Sequence, residues 1–172
     1  MRIVYENCQE PPDKAPMNEL LTEYYDLMIS RIETLGGSVP PGKRALVEFW
    51  DEIDLFLPPT GQLVLARSDD GTLVGCGSLK SIGSAKGELK RLFVKPETRG
   101  HGVGRRIVEM RIDAAREMGM KTLYVDTLKN NIEMRGLYQK LGFDEIDFYE
   151  ESATHQLQPQ LAPFMCYYSI SL

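Results

Sequence analysis

The sequence has no apolar run approaching the roughly 20 residues that a membrane-spanning helix needs, so no membrane partner is expected. Cysteine is scarce and scattered: Cys8, Cys76 and Cys166 form no Cys-x-x-Cys pair. With only His101 and His155 beside them they give no zinc spacing, so reduced thiols and no metal are expected. The opening stretch MRIVYENCQEPPDK lacks the long apolar segment of a secretion signal, and a cytoplasmic location follows as the expectation. Positive charge is also short. Twenty Lys and Arg face 25 Asp and Glu, for a net charge of −5. Proteins that bind duplexes draw much of their affinity from neutralising phosphates, so nucleic acid is not expected as a partner. An acidic balance mildly suits a cationic acceptor such as an amine. Fixed-period repeats and low-complexity stretches are absent too. What remains is 172 residues, 42% apolar and 26% charged, enough for one ordinary domain with a substantial core.

Periodicity organises the chain. RIVYE alternates like an edge strand. Leu20, Tyr24, Leu27, Met28, Arg31, Ile32 and Leu35 recur at helical steps until Gly36-Gly37, and Leu46, Phe49, Trp50, Ile53 and Phe56 repeat the pattern up to Pro58-Pro59. In these stripes Trp50 and the Tyr24-Tyr25 pair read as core, with one ring free to line a pocket. QLVLARSDDGTLVGCGSLKSI predicts two strands about an Asp-Gly turn. GELKRLFVKP predicts a third, ended by Pro96. Val103, Ile107, Met110, Ala114 and Met118 trace an amphipathic helix closed by Gly119. KTLYVDT is a strand. Met134, Leu137, Tyr138 and Leu141 form a short helix capped by Gly142. FDEIDFYEE and PFMCYYSISL read as final strands, with Ser152 to Pro163 as a loop between them. The order predicts a mixed α/β sheet in a single domain, 1–172.

The chemistry concentrates in Lys95-Pro-Glu-Thr-Arg-Gly-His-Gly-Val-Gly-Arg-Arg106. A strand ends, a turn holds Gly100, Gly102 and Gly104, and a helix starts. Glycine admits close backbone approach. The first N–H groups of the helix and its positive dipole end favour a phosphate or pyrophosphate. Arg99, Arg105 and Arg106 add charge. The same residues also suit a tight turn with solvated arginines. A Walker loop is ruled out by the missing lysine, and the spacing differs from the dinucleotide-binding Gly-x-Gly-x-x-Gly.

Arg99-Gly-His-Gly-Val-Gly104 resembles the acetyl-CoA signature of the GNAT (Gcn5-related) N-acetyltransferase family, Arg/Gln-x-x-Gly-x-Gly/Ala. Asn131-Ile-Glu-Met-Arg-Gly-Leu-Tyr138 resembles the family's Asn-x-x-Ala-x-x-Leu-Tyr, with Met134 where alanine is usual, and Tyr138-Gln-Lys-Leu-Gly-Phe143 its Tyr-x-x-Leu-Gly-Phe. The close resemblance covers Gly87 to Phe143. It implies a mostly antiparallel mixed sheet flanked by helices, with splayed central strands. It divides the domain into a helical acceptor-side region (1–60), an acetyl-CoA-binding core (62–143) and C-terminal strands (144–172).

The resemblance implies direct acetyl transfer from acetyl-CoA, with no metal, to a primary amine of a small molecule, amino acid or peptide. The backbone of Arg99, Gly100, His101, Gly102, Val103 and Gly104 and the Arg105 side chain would cradle the pyrophosphate. Leu92, Phe93 and Val94 lie on the bent strand, where Leu92 N–H would polarise the thioester and Val94 would pair with the pantetheine arm. Glu88 takes the position of the general base, against the alternative of a solvated strand-end carboxylate. Glu48, Glu52 and Asp126 rank below it. Tyr138 takes the position of the general acid, against that of a core tyrosine. A free phenol (pKa about 10) and a free thiol (about 8.5) make that proton transfer nearly balanced. Asn131 would contact the cofactor, or else serve the start of its helix. His101 reads as a solvent-facing filler. A non-catalytic acyl-CoA-binding module and a transferase of another acyl group stay open. So does a homodimer, with the C-terminal strand as one way to form it. The acceptor is not legible.

Overall fold

The structure, a computed structural model, describes residues 2–172. Strand β1 (Ile3–Asn7) leads through Cys8 into α1 (Lys14–Thr34) and α2 (Gly42–Asp51), followed by a single 3-10 turn at Ile53–Phe56. Strands β2 (Gly61–Ser68), β3 (Leu73–Gly83) and β4 (Lys86–Val94) form a meander. Then come α3 (Val103–Glu117), β5 (Thr122–Leu128), α4 (Ile132–Lys140), β6 (Asp144–Ile146), α5 (Ala153–Leu157) and β7 (Met165–Ser171). The sheet order is β1-β2-β3-β4-β5-β7-β6, and every pairing is antiparallel except β4 with β5.

Local chemistry accounts for the joints. The β2–β3 turn closes as its Asp-Gly predicts: Asp70 Oδ1 accepts from Ser68 Oγ at 2.6 Å and from Thr72 N–H at 3.0 Å. Helices α3 and α4 each end in a six-to-one backbone bond, Met120 N–H to Ala115 O and Phe143 N–H to Tyr138 O. Two apolar layers hold the sheet. Val108, Ile112, Tyr138 and Phe143 cover Leu79, Leu89, Leu123 and Val125 on one face. Met17, Leu20, Leu21, Phe49 and Phe56 cover Leu63, Leu65, Cys76 and Phe93 on the other. Each such fully buried side chain stabilises by roughly 1.5–3 kcal/mol before cavity terms.

Three expectations change. The stretch from Ser152 to Pro163 is not a loop: Ser152 Oγ caps α5 by accepting His155 N–H at 3.2 Å, and a 3-10 segment spans Pro159–Phe164. FDEIDFYEE supplies only the three residues of β6, because the chain then turns to bring Tyr149 and Ser152 over the sheet. Finally, β7 is not the edge strand: it lies between β5 and β6, with β6 covering Tyr167 to Ser169 of its outer side.

The buried thiols set an alkaline limit. Burial pushes Cys76 up to about 12 from its ordinary 9.0, tempered by Arg111 and Arg91. Burial likewise pushes Tyr138 up to about 12 from 10.0, tempered by Arg111. Both are acids that hold their proton more tightly when folded. Their stabilisation is therefore complete below pH 9 and is lost as the pH climbs to 12, at most about 4 kcal/mol for Cys76. The urea midpoint should be flat to pH 8.5 and fall steeply above it, and Cys76→Ala should make that fall shallower. An unchanged slope in the variant would exclude Cys76 as a cause.

Candidate active site

The glycine turn is open where the sequence places it. A 3-10 turn at Pro96–Thr98 delivers the chain to Arg99, and the first backbone bond into α3 is Arg106 N–H to Gly102 O, at 3.0 Å. Among the described residues, none of the backbone N–H groups of Gly100, His101, Gly102, Val103, Gly104 or Arg105 has an acceptor. Gly100 (φ +80°) and Gly102 (φ +78°) are left-handed, and a Cβ built on either meets nothing within 4 Å. A consecutive run of unpartnered amides at a helix N-terminus is a cradle for an anionic group. Around it, Arg99 Nε donates to Val94 O at 3.0 Å, Arg105 Nε to Glu109 Oε1 at 2.8 Å, and the exposed His101 ring lies with Nδ1 3.0 Å from Arg99 O.

Leading into this turn, β4 parts from β5. The two pair only from Lys86 with Thr122 to Leu89 with Val125. Beyond Leu89 the edge of β4 facing β5 has no strand partner, and this edge carries Leu92 and Val94. Phe93 turns to the α1 face, against Tyr24. A bulge produces the bend. Arg91 and Leu92 oppose the single residue Gly77, and Arg91 sits at φ +53°. The opened ladder is filled from α3: the fully buried Arg111 donates through Nη1 to Ser78 O at 3.0 Å and to Lys90 O at 3.3 Å. Gly77 makes room, since a Cβ there would lie 2.9 Å from the Arg111 guanidinium carbon. Burial without a carboxylate partner lowers Arg111 to about 10, although Tyr138 and Cys76 nearby favour its charge.

The parted strands open into a cavity of about 210 Å³ between α1, α2, α5 and the sheet. Its walls include Tyr24, Tyr25, Glu48, Glu52, Lys90 and Arg91 on one side, and Asp126, Asn131 and Tyr138 on the other. Lys90 Nζ lies 3.6 Å from Asp126 Oδ1, 3.8 Å from Glu88 Oε1 and 3.0 Å from Thr154 Oγ1. Burial opposes the Lys90 charge, but Asp126 and Glu88 outweigh it and hold the ammonium above its ordinary value. Ser152 Oγ donates to Asp126 Oδ2 at 2.8 Å. Glu88 is neither solvated nor on the cavity wall. It is fully buried and accepts from Tyr149 O–H at 2.7 Å and from Ala153 N–H at 3.1 Å. Those bonds pin it beneath Lys90, so on the β5 side of the cavity the carboxylate is Asp126, with Glu48 and Glu52 on the opposite wall. Trp50 is not part of the lining; its Nε1 donates to Asn18 Oδ1 at 2.6 Å.

Tyr138 is buried against Phe143 and Tyr168 and also borders the cavity. The hydroxyls of Tyr25, Tyr149 and Tyr168 are hydrogen-bonded within the protein, and that of Tyr138 is not. Burial widens the expected balance with a thiol, because a phenol near 12 holds its proton more tightly than one near 10. Asn131 precedes α4 without capping it; its Nδ2 donates to Thr127 Oγ1 at 3.1 Å, which holds its amide in the wall.

Residues 17–143 match the acetyltransferase (GNAT) family. The chain belongs to the GNAT family. Among curated GNAT relatives, the IAA acetyltransferase of Azospirillum brasilense is 36% identical over 123 residues, covering 60% of this chain and 79% of that protein. An uncharacterised N-acetyltransferase of Schizosaccharomyces pombe is 33% identical over 93 residues, 54% of this chain and 57% of its own length. The match thus spans little more than half of the yeast relative. The fold is shared with GNAT crystal structures: an acetyltransferase from Staphylococcus aureus (TM-score 0.77, 19% identity, 99% of both chains) and the PaiA N-acetyltransferase of Thermoplasma acidophilum in complex with coenzyme A (TM-score 0.71, 17% identity, 100% of both).

Of the motif residues, Leu92, Asn131, Met134 and Tyr138 border the cavity, and the glycine turn follows the strand of Leu92, β4. Sequence reasoning missed Lys90, Arg91, Arg111, Tyr149 and Ser152. Lys90 and Arg91 sit in a strand whose register and bulge decide where they point. Ser152 carried a legible signal as a helix-capping residue before an apolar turn.

Proposed function

We propose that this GNAT protein transfers an acetyl group directly from acetyl-CoA to a primary amine, and that its acceptor is a small molecule. The run of free amides from Gly100 to Arg105 carries the reading, because a diphosphate is the group whose charge and oxygens such a cradle satisfies. The coenzyme A named in the Thermoplasma neighbour and the acetyl-CoA bound in a GNAT acetyltransferase of Elizabethkingia anophelis support it. The unpaired edge of β4 at Leu92 and Val94 would take the pantetheine arm, with Asn131 opposite. A cavity of about 210 Å³ favours a small acceptor over a peptide.

In this reading the amine nitrogen attacks the thioester carbon while Leu92 N–H supports the developing oxyanion, a contribution of about 3 kcal/mol. The C–S bond breaks and the thiolate leaves toward Tyr138. A phenol near 12 donates a hydrogen bond through the whole step and gives up its proton only to a thiolate that is itself desolvated. The amine's proton goes to Asp126, the carboxylate on the cavity wall beside Asn131 and Tyr138, while Glu88 positions Lys90 beside it.

Thiol release from acetyl-CoA across a panel of amines tests the reading. Asp126→Asn should lower kcat/KM at least tenfold, and Glu88→Gln should cost less. Acetyl-CoA binding without amine-dependent thiol release would make the protein a binder rather than an enzyme. A larger loss in Glu88→Gln than in Asp126→Asn would return the base to Glu88.

A further inference from the structure

We propose that Arg91 is the carboxylate-recognition residue of the acceptor site, so that the amine substrate is itself a carboxylate-bearing molecule of amino-acid type. This rests on the acetyl-transfer reading for the role of the amine, but its geometry is independent of it. Arg91 is the second cation of the Lys90-Arg91 pair, and the two are treated differently by the fold. Lys90 is neutralised by Asp126 and Glu88. Arg91 takes part in none of the ion pairs among the described residues. Its guanidinium lies 5.3 Å from the ring centre of Phe49 and 4.8 Å from that of Phe56, two rings stacked on each other, and its Nε donates to the Tyr25 hydroxyl at 2.9 Å. These contacts restrain the group and use one donor.

Among the described residues the side chain bonds through Nε alone, and the two Nη atoms have no hydrogen-bond partner. Nor are they sealed, unlike Nη2 of Arg111. Arg91 borders the cavity together with its hydrogen-bond partner Tyr25. A guanidinium beside two aromatic rings, with its Nε occupied and its Nη edge free, is a fork that matches the two oxygens of a carboxylate. Burial opposes the Arg91 charge, and the Tyr25 hydroxyl, Tyr24 and Glu52 outweigh it, so the guanidinium stays charged before any ligand arrives. The backbone that presents it is strained, a non-glycine residue at φ +53°.

The rest of the wall completes a zwitterion site. Arg91 is one residue from Lys90, and Lys90 lies against Asp126 where β4 and β5 part. A carboxylate on Arg91 therefore leaves the amine end of a short ligand beside Asp126 and the slot, with Glu52 as a further acid in the lining. A simple alkylamine would leave the fork unfilled, and a site built for hydrogen bonds discriminates strongly against the analogue that lacks them.

The test offers the purified chain acetyl-CoA with common amino acids, their methyl esters and the matching decarboxylated amines, and reads thiol release. The best free acid should exceed its ester and its decarboxylated amine by about a hundredfold or more in kcat/KM. Arg91→Gln should raise the KM for that acid and collapse the ratio towards one, and Arg91→Lys, which keeps the charge without the fork, should restore part of it. Esters or amines accepted as well as acids overturn the proposal, and so does a ratio that survives Arg91→Gln. If no amine turns over, N-acetyl amino acids titrated calorimetrically into the CoA-loaded chain decide: binding that Arg91→Gln abolishes supports the site, and no binding overturns it. Failure to bind acetyl-CoA at all is a separate result, which defeats the transferase reading alone.

Discussion

Tyr138→Phe should lower kcat at least tenfold while the Kd for acetyl-CoA stays within about twofold, the range expected when a single positioned proton donor is removed. The substitution is unusually clean here. Tyr138 packs by its ring on Phe143 and Tyr168, and phenylalanine keeps that packing. Its hydroxyl has no protein partner to orphan, so the unfolding free energy should change by less than about 1 kcal/mol. A loss of turnover then reads as chemistry and not as damage. The pH profile provides a second check. With the phenol pushed up to about 12 by burial, its ionisation should leave no alkaline limb below about pH 11. Full turnover in Tyr138→Phe would remove the residue from the mechanism.

Gly102→Val should weaken acetyl-CoA binding by about thirtyfold or more, through loss of charge-assisted bonds to the cradle amides. Valine at φ +78° is strained and would itself cost about 2 kcal/mol of stability, so affinity and fold must be separated. Gly119 supplies the matched control. It has φ +76°, its Cβ position is equally empty, and it lies at the other end of α3, about 25 Å away by helix rise. Gly119→Val should lose similar stability with no loss of affinity. Calorimetric titration of acetyl-CoA into both variants decides the matter: equal affinities, whether both normal or both reduced, would leave the turn without a specific part in binding.

The cradle was legible because everything it needs is local. A strand, three glycines at alternate positions and an amphipathic helix fit only a few backbone paths, and the free amides follow from helix geometry. The β2–β3 hairpin was legible for the same reason. The wall of the cavity was not. Whether Lys90 and Arg91 face solvent, core or cavity depends on a bulge opposite Gly77 that one strand's sequence does not announce, and the wedge that keeps it open, Arg111, reads in sequence as just another polar residue on a helix. Glu88 illustrates the cost: correctly placed on its strand, it was assigned to the strand's solvated end or to the reacting amine, whereas Tyr149 and Ala153, more than 60 positions later, bury it.

Among the described residues, Lys86 to Leu89 with Thr122 to Val125 is the only strand ladder between the two halves of the sheet, with Ala85 O accepting from Lys121 and Thr122 N–H at its base. Beyond that ladder the halves are joined by side chains, through the core of Leu89, Leu123 and Val125 and the Lys90–Asp126 pair. A linear guest lying between the parted strands would touch both and act as a clasp. Amide exchange along β5 should then slow with occupancy, a gauge read well away from any reacting atom.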